Sequence, residues 1–269
     1  MKANYFKKVI RKIMGKENIQ NELNWCKTLR QIHVGDAVEI EELYRTFVFP
    51  NLPRKPGREA LLSDLIGTTI SEAIYILESL HSGLQVEGDI CEFGVAQGAT
   101  SKLLAYEIMD TSRELYLFDS FEGLPAPSAE DILIDDIFNL GSMDNYKGTM
   151  MSPESEVKEK LDSINFPFQR THVMKGWVED SLARSDAPRK VAFAYVDFDF
   201  YGPIKTALEY LDRVMPVGGR IVVDDYGFFS EGAQKAVDEF VELSCGRFVL
   251  TLPLPFAGKF AVLSRVAPT

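Results

Sequence analysis

From residue 88 onward, short apolar runs alternate with stretches in which apolar residues recur at helical spacing. The runs Asp89–Phe93, Leu115–Asp119, Thr171–Met174, Val191–Asp197 and Arg220–Asp224 are rich in Val, Ile, Phe or Tyr and flanked by turn residues. That pattern predicts strands. Between most of them, Thr100–Met109, Ile204–Val214 and Gly232–Leu243 carry the periodicity of helices. Strand–helix alternation predicts an α/β fold with a parallel sheet covered on both faces. The chain closes differently, since Arg247–Leu252 and Lys259–Ser264 are strand-like with only Pro253–Gly258 between them. So short a link cannot make a parallel crossover, and these two strands are expected to pair antiparallel.

Two segments stand outside the alternation. Upstream, Ile70, Ala73, Ile74, Leu77 and Leu80 predict an amphipathic helix within residues 58–83. The proline-rich stretch PNLPRKPG, residues 50–57, marks a boundary between an N-terminal extension, 1–57, and the main domain, 58–269. Residues 120–169 form a long insertion after the second strand, in which SPESEVKEKL reads as a helix. A connection of that length is a functional lid, a contact with a second subunit, or a disordered loop.

Charge adds one asymmetry. The 269 residues carry 29 Lys and Arg against 40 Asp and Glu, a net charge of −11, yet residues 1–16 hold six basic side chains and no acid. That leaves 23 basic against 40 acidic side chains elsewhere, a balance of −17. Phe6, Ile10, Ile13 and Met14 make the first segment a basic amphipathic helix. Three readings are open for it: an arm on an acidic partner subunit of a homo-oligomer, a helix lying on a membrane surface, or a flexible tail. No apolar run reaches membrane-spanning length, and the acidic body argues against nucleic acid as a partner. Cys26, Cys91 and Cys245 are too scattered for a disulfide framework or a zinc site, which suits a reducing cytoplasm.

The chemistry concentrates at predicted strand ends. The first strand runs into Glu92-Phe93-Gly94-Val95-Ala96-Gln97-Gly98, a glycine-bearing strand-to-helix turn whose backbone can approach a ligand. The second strand ends in Asp119, where an acid accepts hydrogen bonds from ribose hydroxyls in nucleotide-binding α/β folds. Together they suggest an adenosine-type ligand, either a dinucleotide or S-adenosylmethionine. The spacing GxxxG is not the dinucleotide fingerprint, which weighs against an NAD-dependent dehydrogenase. Asp197-Phe198-Asp199 and Asp224-Asp225 end two strands separated by one crossover helix. Four carboxylates converging at one sheet edge repel unless protons or a cation compensate, and oxygen donors favour Mg²⁺ or another hard divalent cation.

The ordered set EFGVAQG, LFDSFEGLP, KGWVEDSL, DFDFYGPIKTALEYL and PVGGRIVVDDYG resembles the macrocin O-methyltransferase family over roughly residues 65–243. The resemblance implies a class I, Rossmann-like methyltransferase fold: a mostly parallel seven-stranded sheet with an antiparallel closing hairpin. It also implies methylation of a sugar or glycoside hydroxyl, with S-adenosylmethionine and Mg²⁺ as cofactors. It assigns Asp197, Asp224 and Asp225 to the metal, with Asp197 also near the cofactor, and Asp199 to the general base. Cofactor contacts would come from Glu92, Gly94, Ala96, Gly98 and Ser101 around the first turn, and from Asp119 and Ser120 at the ribose. Gly176 and Trp177 would lie at the adenine, and Gly67 and Thr68 on the N-terminal side. The chain departs from the family pattern with Phe198 where a Gly often separates the acids, with Gly-Pro-Ile-Lys-Thr after Tyr201, and with no His in residues 120–169. Of the three histidines, His81 and His172 read as structural, which leaves Asp199 as the base. Methylation of a catechol-like diol, or cofactor binding without turnover, would use much of the same machinery.

Overall fold

The computed structural model describes residues 16–267. Residues 1–15 of the basic segment read as an amphipathic helix over 1–16 lie outside them. In chain order the elements are α1 (Lys16–Phe47), α2 (Arg58–Leu62), α3 (Ile70–Gly83), β1 (Asp89–Phe93), α4 (Ala99–Glu107), β2 (Leu115–Asp119) and α5 (Glu154–Asp162). Then follow β3 (Thr171–Lys175), α6 (Val178–Ser181), β4 (Val191–Val196), α7 (Tyr201–Val214), β5 (Arg220–Val223), α8 (Glu231–Leu243), β6 (Phe248–Thr251) and β7 (Ala261–Arg265). No helix among the described residues is long and apolar enough to cross a membrane.

The seven strands form one sheet in the order β3-β2-β1-β4-β5-β7-β6. The first five neighbours pair parallel, and β7 pairs antiparallel with both β5 and β6. This is the class I methyltransferase arrangement that the family resemblance implied. The antiparallel hairpin closes through residues 252–260, a link still too short for a parallel crossover, with β7 tucked between β5 and β6.

Two apolar layers cover the sheet, and the two-residue period of the strands assigns side chains between them. In β4, Phe193 and Tyr195 face the layer of α3 and α4, with Ile74, Leu77 and Leu104. Ala194 and Val196 face the layer of α7 and α8, with Leu208, Leu211 and Val237. Burial on both faces explains why the central strands read as near-continuous apolar runs.

Helix α1 is fastened to the first layer through Ala37 and Tyr44, and through a buried ionic cluster. Arg58 of α2, fully buried, forks onto both oxygens of Glu107 in α4 at 2.8 and 2.7 Å and reaches Glu41 of α1 at 2.7 Å. His81 of α3 meets the same Glu107 at 2.8 Å. On the far edge His172 contacts Glu114 at 2.8 Å and stacks on Tyr116. Both histidines therefore serve packing, as the sequence suggested.

Candidate active site

Open α/β sheets bind ligands beyond the C-terminal ends of their strands, where the order of connection reverses. Here that point lies between β1 and β4, which sit side by side although three connections separate them in sequence. A cleft of about 750 Å³ opens there. The register places Phe93 beside both Phe118 and Val196, and Val196 beside Val223, so the acids at the ends of β2, β4 and β5 emerge at one level.

The turn after β1 makes the cofactor side. Gly94 has φ +84°, and a Cβ there would stand 1.7 Å from the Asp197 carbonyl oxygen, so only glycine lets β1 and β4 end this close together. Asp119 organises the turn: its Oδ2 accepts the N–H groups of Val95 and Ala96 at 2.7 and 3.0 Å, and its Oδ1 accepts that of Phe121 at 2.6 Å. Glu92 is buried beneath, and its carboxylate accepts the hydroxyl proton of Ser101. Burial pushes Glu92 up to about 8, with the Ser101 hydrogen bond opposing and the Asp119 charge adding.

Of the expected cofactor residues, Gly67, Thr68, Glu92, Gly94, Ala96, Asp119, Ser120, Gly176, Trp177 and Asp197 all line the cleft. Gly98 and Ser101 do not. Gly98 packs against Val157 of α5, and Ser101 acts on the site through Glu92.

The acid loops make the other half. Asp197, Asp199 and Asp225 offer oxygens that lie within 4.8 Å of one another. Asp224, expected to join Asp197 and Asp225, points instead toward Tyr195, whose hydroxyl stands 2.9 Å from Asp224 Oδ2. Its Oδ1 accepts the N–H of Asp225 at 2.8 Å. Both Asp199 and Asp225 have left-handed backbones, with φ of 61° and 59°. Such conformations are held only where the surroundings over-determine them, and they cluster at functional sites.

Burial, and after it the charge of neighbouring aspartates, holds Asp197, Asp199 and Asp225 well above the ordinary carboxylate range. Asp224 is raised as well, by burial, although its hydrogen bonds oppose the shift. Eight acidic residues line the cleft with no Lys, Arg or His among the described lining residues. That donor set, hard oxygens with nothing basic to neutralise them, fits a divalent cation.

Two buried groups behind the acid loops were not expected. Tyr195 of β4 stands 3.3 Å from Glu72 and 3.4 Å from Asp197, besides its 2.9 Å bond to Asp224. Glu72 of α3 is buried, and burial followed by the Asp224 charge raises it well above its ordinary range. The signal for Glu72 lay in α3 itself: Ile70, Ala73, Ile74, Tyr75, Ile76 and Leu77 make the helix apolar almost all round, so an acid among them is buried.

The insertion is folded and forms a wall of the cleft. Tyr146 is buried between Phe138 and Phe229, and Phe229 stacks on Phe200 at the end of the β4 loop.

The family profile of the macrocin O-methyltransferases (TylF) matches residues 73–246. A curated relative from Streptomyces olivaceus, 8-demethyl-8-(2,3-dimethoxy-alpha-L-rhamnosyl)-tetracenomycin-C 4'-O-methyltransferase, is 27% identical over 172 residues, covering 63% of this chain and 62% of the relative. Demethyldecarbamoylnovobiocin O-methyltransferase from Streptomyces niveus is 26% identical over 163 residues, covering 59% of this chain and 60% of the relative. Each match thus spans about three fifths of the relative's own length. Among solved structures, the O-methyltransferase NovP superposes with a TM-score of 0.63 at 21% identity, covering 74% of this chain and 81% of that one, and so shares the fold. With nearly two thirds of its length matched by one profile, and with that family's motifs at the strand ends that build the cleft, the chain belongs to the macrocin O-methyltransferase family.

Proposed function

We propose that the protein transfers a methyl group from S-adenosylmethionine to a hydroxyl of a sugar or glycosylated metabolite, with a divalent cation held by its aspartates. The chemistry of the cleft carries this reading: eight acidic side chains and, among the described residues, no basic one line it, and three of them converge within 4.8 Å. Such a lining repels the diphosphate of a dinucleotide and attracts a sulfonium ion and a metal. The two curated relatives are named as O-methyltransferases of a rhamnosyl-tetracenomycin and of demethyldecarbamoylnovobiocin, which supports an oxygen acceptor on such a metabolite.

S-Adenosylmethionine, when bound, supplies a methyl group on cationic sulfur, and Mg²⁺ or a similar ion supplies Lewis acidity toward the acceptor hydroxyl. The residues divide the remaining work. Glu92 and the open backbone at Gly94 receive the methionine end. Asp119 has given one lone pair or more on each oxygen to backbone N–H groups and keeps capacity for ribose hydroxyls, with Ser120 beside it. Trp177 offers a stacking face to the adenine, and Gly176 leaves open space there. Gly67 and Thr68 close the cofactor side.

Asp197 and Asp225 hold the cation, and Asp224, turned to Tyr195, fixes Asp225 through its backbone N–H. Asp199 is the base that takes the acceptor proton. Because Asp199 lies within 4.8 Å of Asp197 and Asp225, the base stands beside the groups that fix the acceptor oxygen. Leu124, Ile137, Phe138, Met150, Met151 and Phe228 give the acceptor side an apolar wall. Positioning by these residues accounts for much of the rate.

Calorimetric titration tests the assignment. Wild-type protein should bind S-adenosylhomocysteine and Mg²⁺. Asp225→Ala should lose the cation while keeping S-adenosylhomocysteine within about threefold, a difference under ~1 kcal/mol. Wild-type protein that takes up neither would overturn the reading.

A further inference from the structure

We propose that Asp131, in the insertion, is a positioning residue that fixes the two acid loops relative to one another. The proposal goes beyond the functional reading and rests on it only for the role of those loops. Asp131 belongs to no expected motif, yet it is buried and its Oδ1 accepts hydrogen bonds from two separate parts of the site. Its Oδ1 accepts the backbone N–H of Tyr201 at 2.8 Å. Tyr201 is the first residue of α7, two residues after Asp199, and Phe200 at the helix cap offers no side-chain bond of its own. A carboxylate from 70 residues upstream therefore caps α7.

The same Oδ1 accepts the hydroxyl proton of Ser230 at 3.3 Å, and Ser230 caps α8 by accepting the N–H of Gly232 at 3.0 Å. Ser230 closes the loop that begins at Asp224-Asp225. Its other oxygen, Oδ2, accepts the N–H and hydroxyl of Ser128, both at 2.7 Å, which anchors the carboxylate in the insertion. One side chain thus ties the insertion, the end of the Asp197–Phe200 loop and the end of the Asp224–Phe229 loop together.

Three further observations point the same way. Leu133 bridges Ser230, and Phe229 O accepts the N–H of Ile134 at 2.9 Å, so the segment around Asp131 runs along the β5 loop. The Tyr146–Phe229–Phe200 ring series repeats the connection in apolar form. Finally, a Cβ at Gly232 would stand 2.0 Å from Asp131 Oδ1 and 3.0 Å from Tyr201 N. Gly232 has no unusual backbone angle, so the space Asp131 needs explains it better than a need for conformational freedom.

A left-handed Asp199 and a left-handed Asp225 converge only if both loops are held from outside. Asp131 is the one side chain described above that bonds the far end of each.

The test is hydrogen–deuterium exchange on the full chain, with cation and S-adenosylhomocysteine titrations beside it. In Asp131→Ala, peptides covering 197–204 and 224–232 should exchange at least tenfold faster. Peptides covering 89–100 and 115–121 should stay unchanged. Mg²⁺ affinity should fall at least tenfold and S-adenosylhomocysteine affinity less than twofold. Asp131→Asn retains an oxygen for Tyr201 and should restore most of both losses. Gly232→Ala, a change that favours a helix by propensity, should reproduce the Asp131→Ala pattern.

Uniform exchange across all four peptides, equal loss of both ligands, or no change in Gly232→Ala and Asp131→Ala alike would overturn the proposal. If the alanine variant fails to fold, the asparagine and Gly232→Ala variants carry the same comparison. If wild-type protein binds no Mg²⁺, the cation assignment fails and the exchange data still decide the role of Asp131.

Discussion

Replacing Glu92 with Gln should stabilise the ligand-free protein at neutral pH while weakening its binding site. Burial raises Glu92 from an ordinary 4.5 to about 8, so the folded chain keeps a proton that the unfolded chain releases. Below pH 4.5 the group is protonated in both states and costs nothing. As pH rises from 4.5 toward 8 only the unfolded state ionises, and folding stability drops by about 1.4 kcal/mol per pH unit. At pH 7 the accumulated loss is about 3 kcal/mol, and above pH 8 it levels off near 5 kcal/mol. Gln has the same shape, can still accept the Ser101 hydroxyl proton, and does not titrate. Urea unfolding of ligand-free wild type and Glu92→Gln at pH 5, 6, 7 and 8 measures the difference directly. The variant's advantage should grow with pH by about 1.4 kcal/mol per unit up to about 8. Parallel stability profiles would refute the claim that Glu92 is buried as a neutral acid. A growing advantage together with undiminished S-adenosylhomocysteine binding would remove Glu92 from the cofactor site.

Three other substitutions bear on separate parts of the structure. Asp199→Asn should lower kcat by about 10²–10⁴-fold and leave Mg²⁺ affinity nearly unchanged; a matching fall in affinity would make Asp199 a ligand and not the base. Trp177→Ala should weaken S-adenosylhomocysteine by about 0.5–1.5 kcal/mol in calorimetry, and unaltered affinity would remove the stacking role. Arg58→Met strips Glu107 and Glu41 of their buried partner and should cost about 3–5 kcal/mol in chemical denaturation; a loss under ~1 kcal/mol would mean that the cluster contributes little to stability.

Much of the fold was legible because the central strands are buried on both faces. Asp89–Phe93 and Leu115–Asp119 begin and end where the apolar runs do. The β4 run looked one residue longer, because Asp197 continues the ladder to Phe93 O before the chain turns. The acids at strand ends were legible for the same reason: each follows a strand directly, and parallel neighbours carry such residues to one edge. What no local pattern carried was tertiary. Asp131 looked like any acid in a polar loop, since its meaning lies in Tyr201 and Ser230, far along the chain. Asp224 sat in the DD pair with no hint that Tyr195 would take its Oδ2. Gly98 and Ser101 fell inside the glycine-bearing motif, although one supports helix packing and the other supports Glu92.

Methyl transfer itself is the most direct test of a cation-assisted reaction in this cleft. The full chain should be stripped with EDTA and incubated with methyl-labelled S-adenosylmethionine and a panel of glycosides, with and without added Mg²⁺. Label should appear on a sugar oxygen only when the cation is restored. Full turnover in EDTA, or label on nitrogen or carbon, would contradict a cation-assisted O-methyl transfer in this cleft.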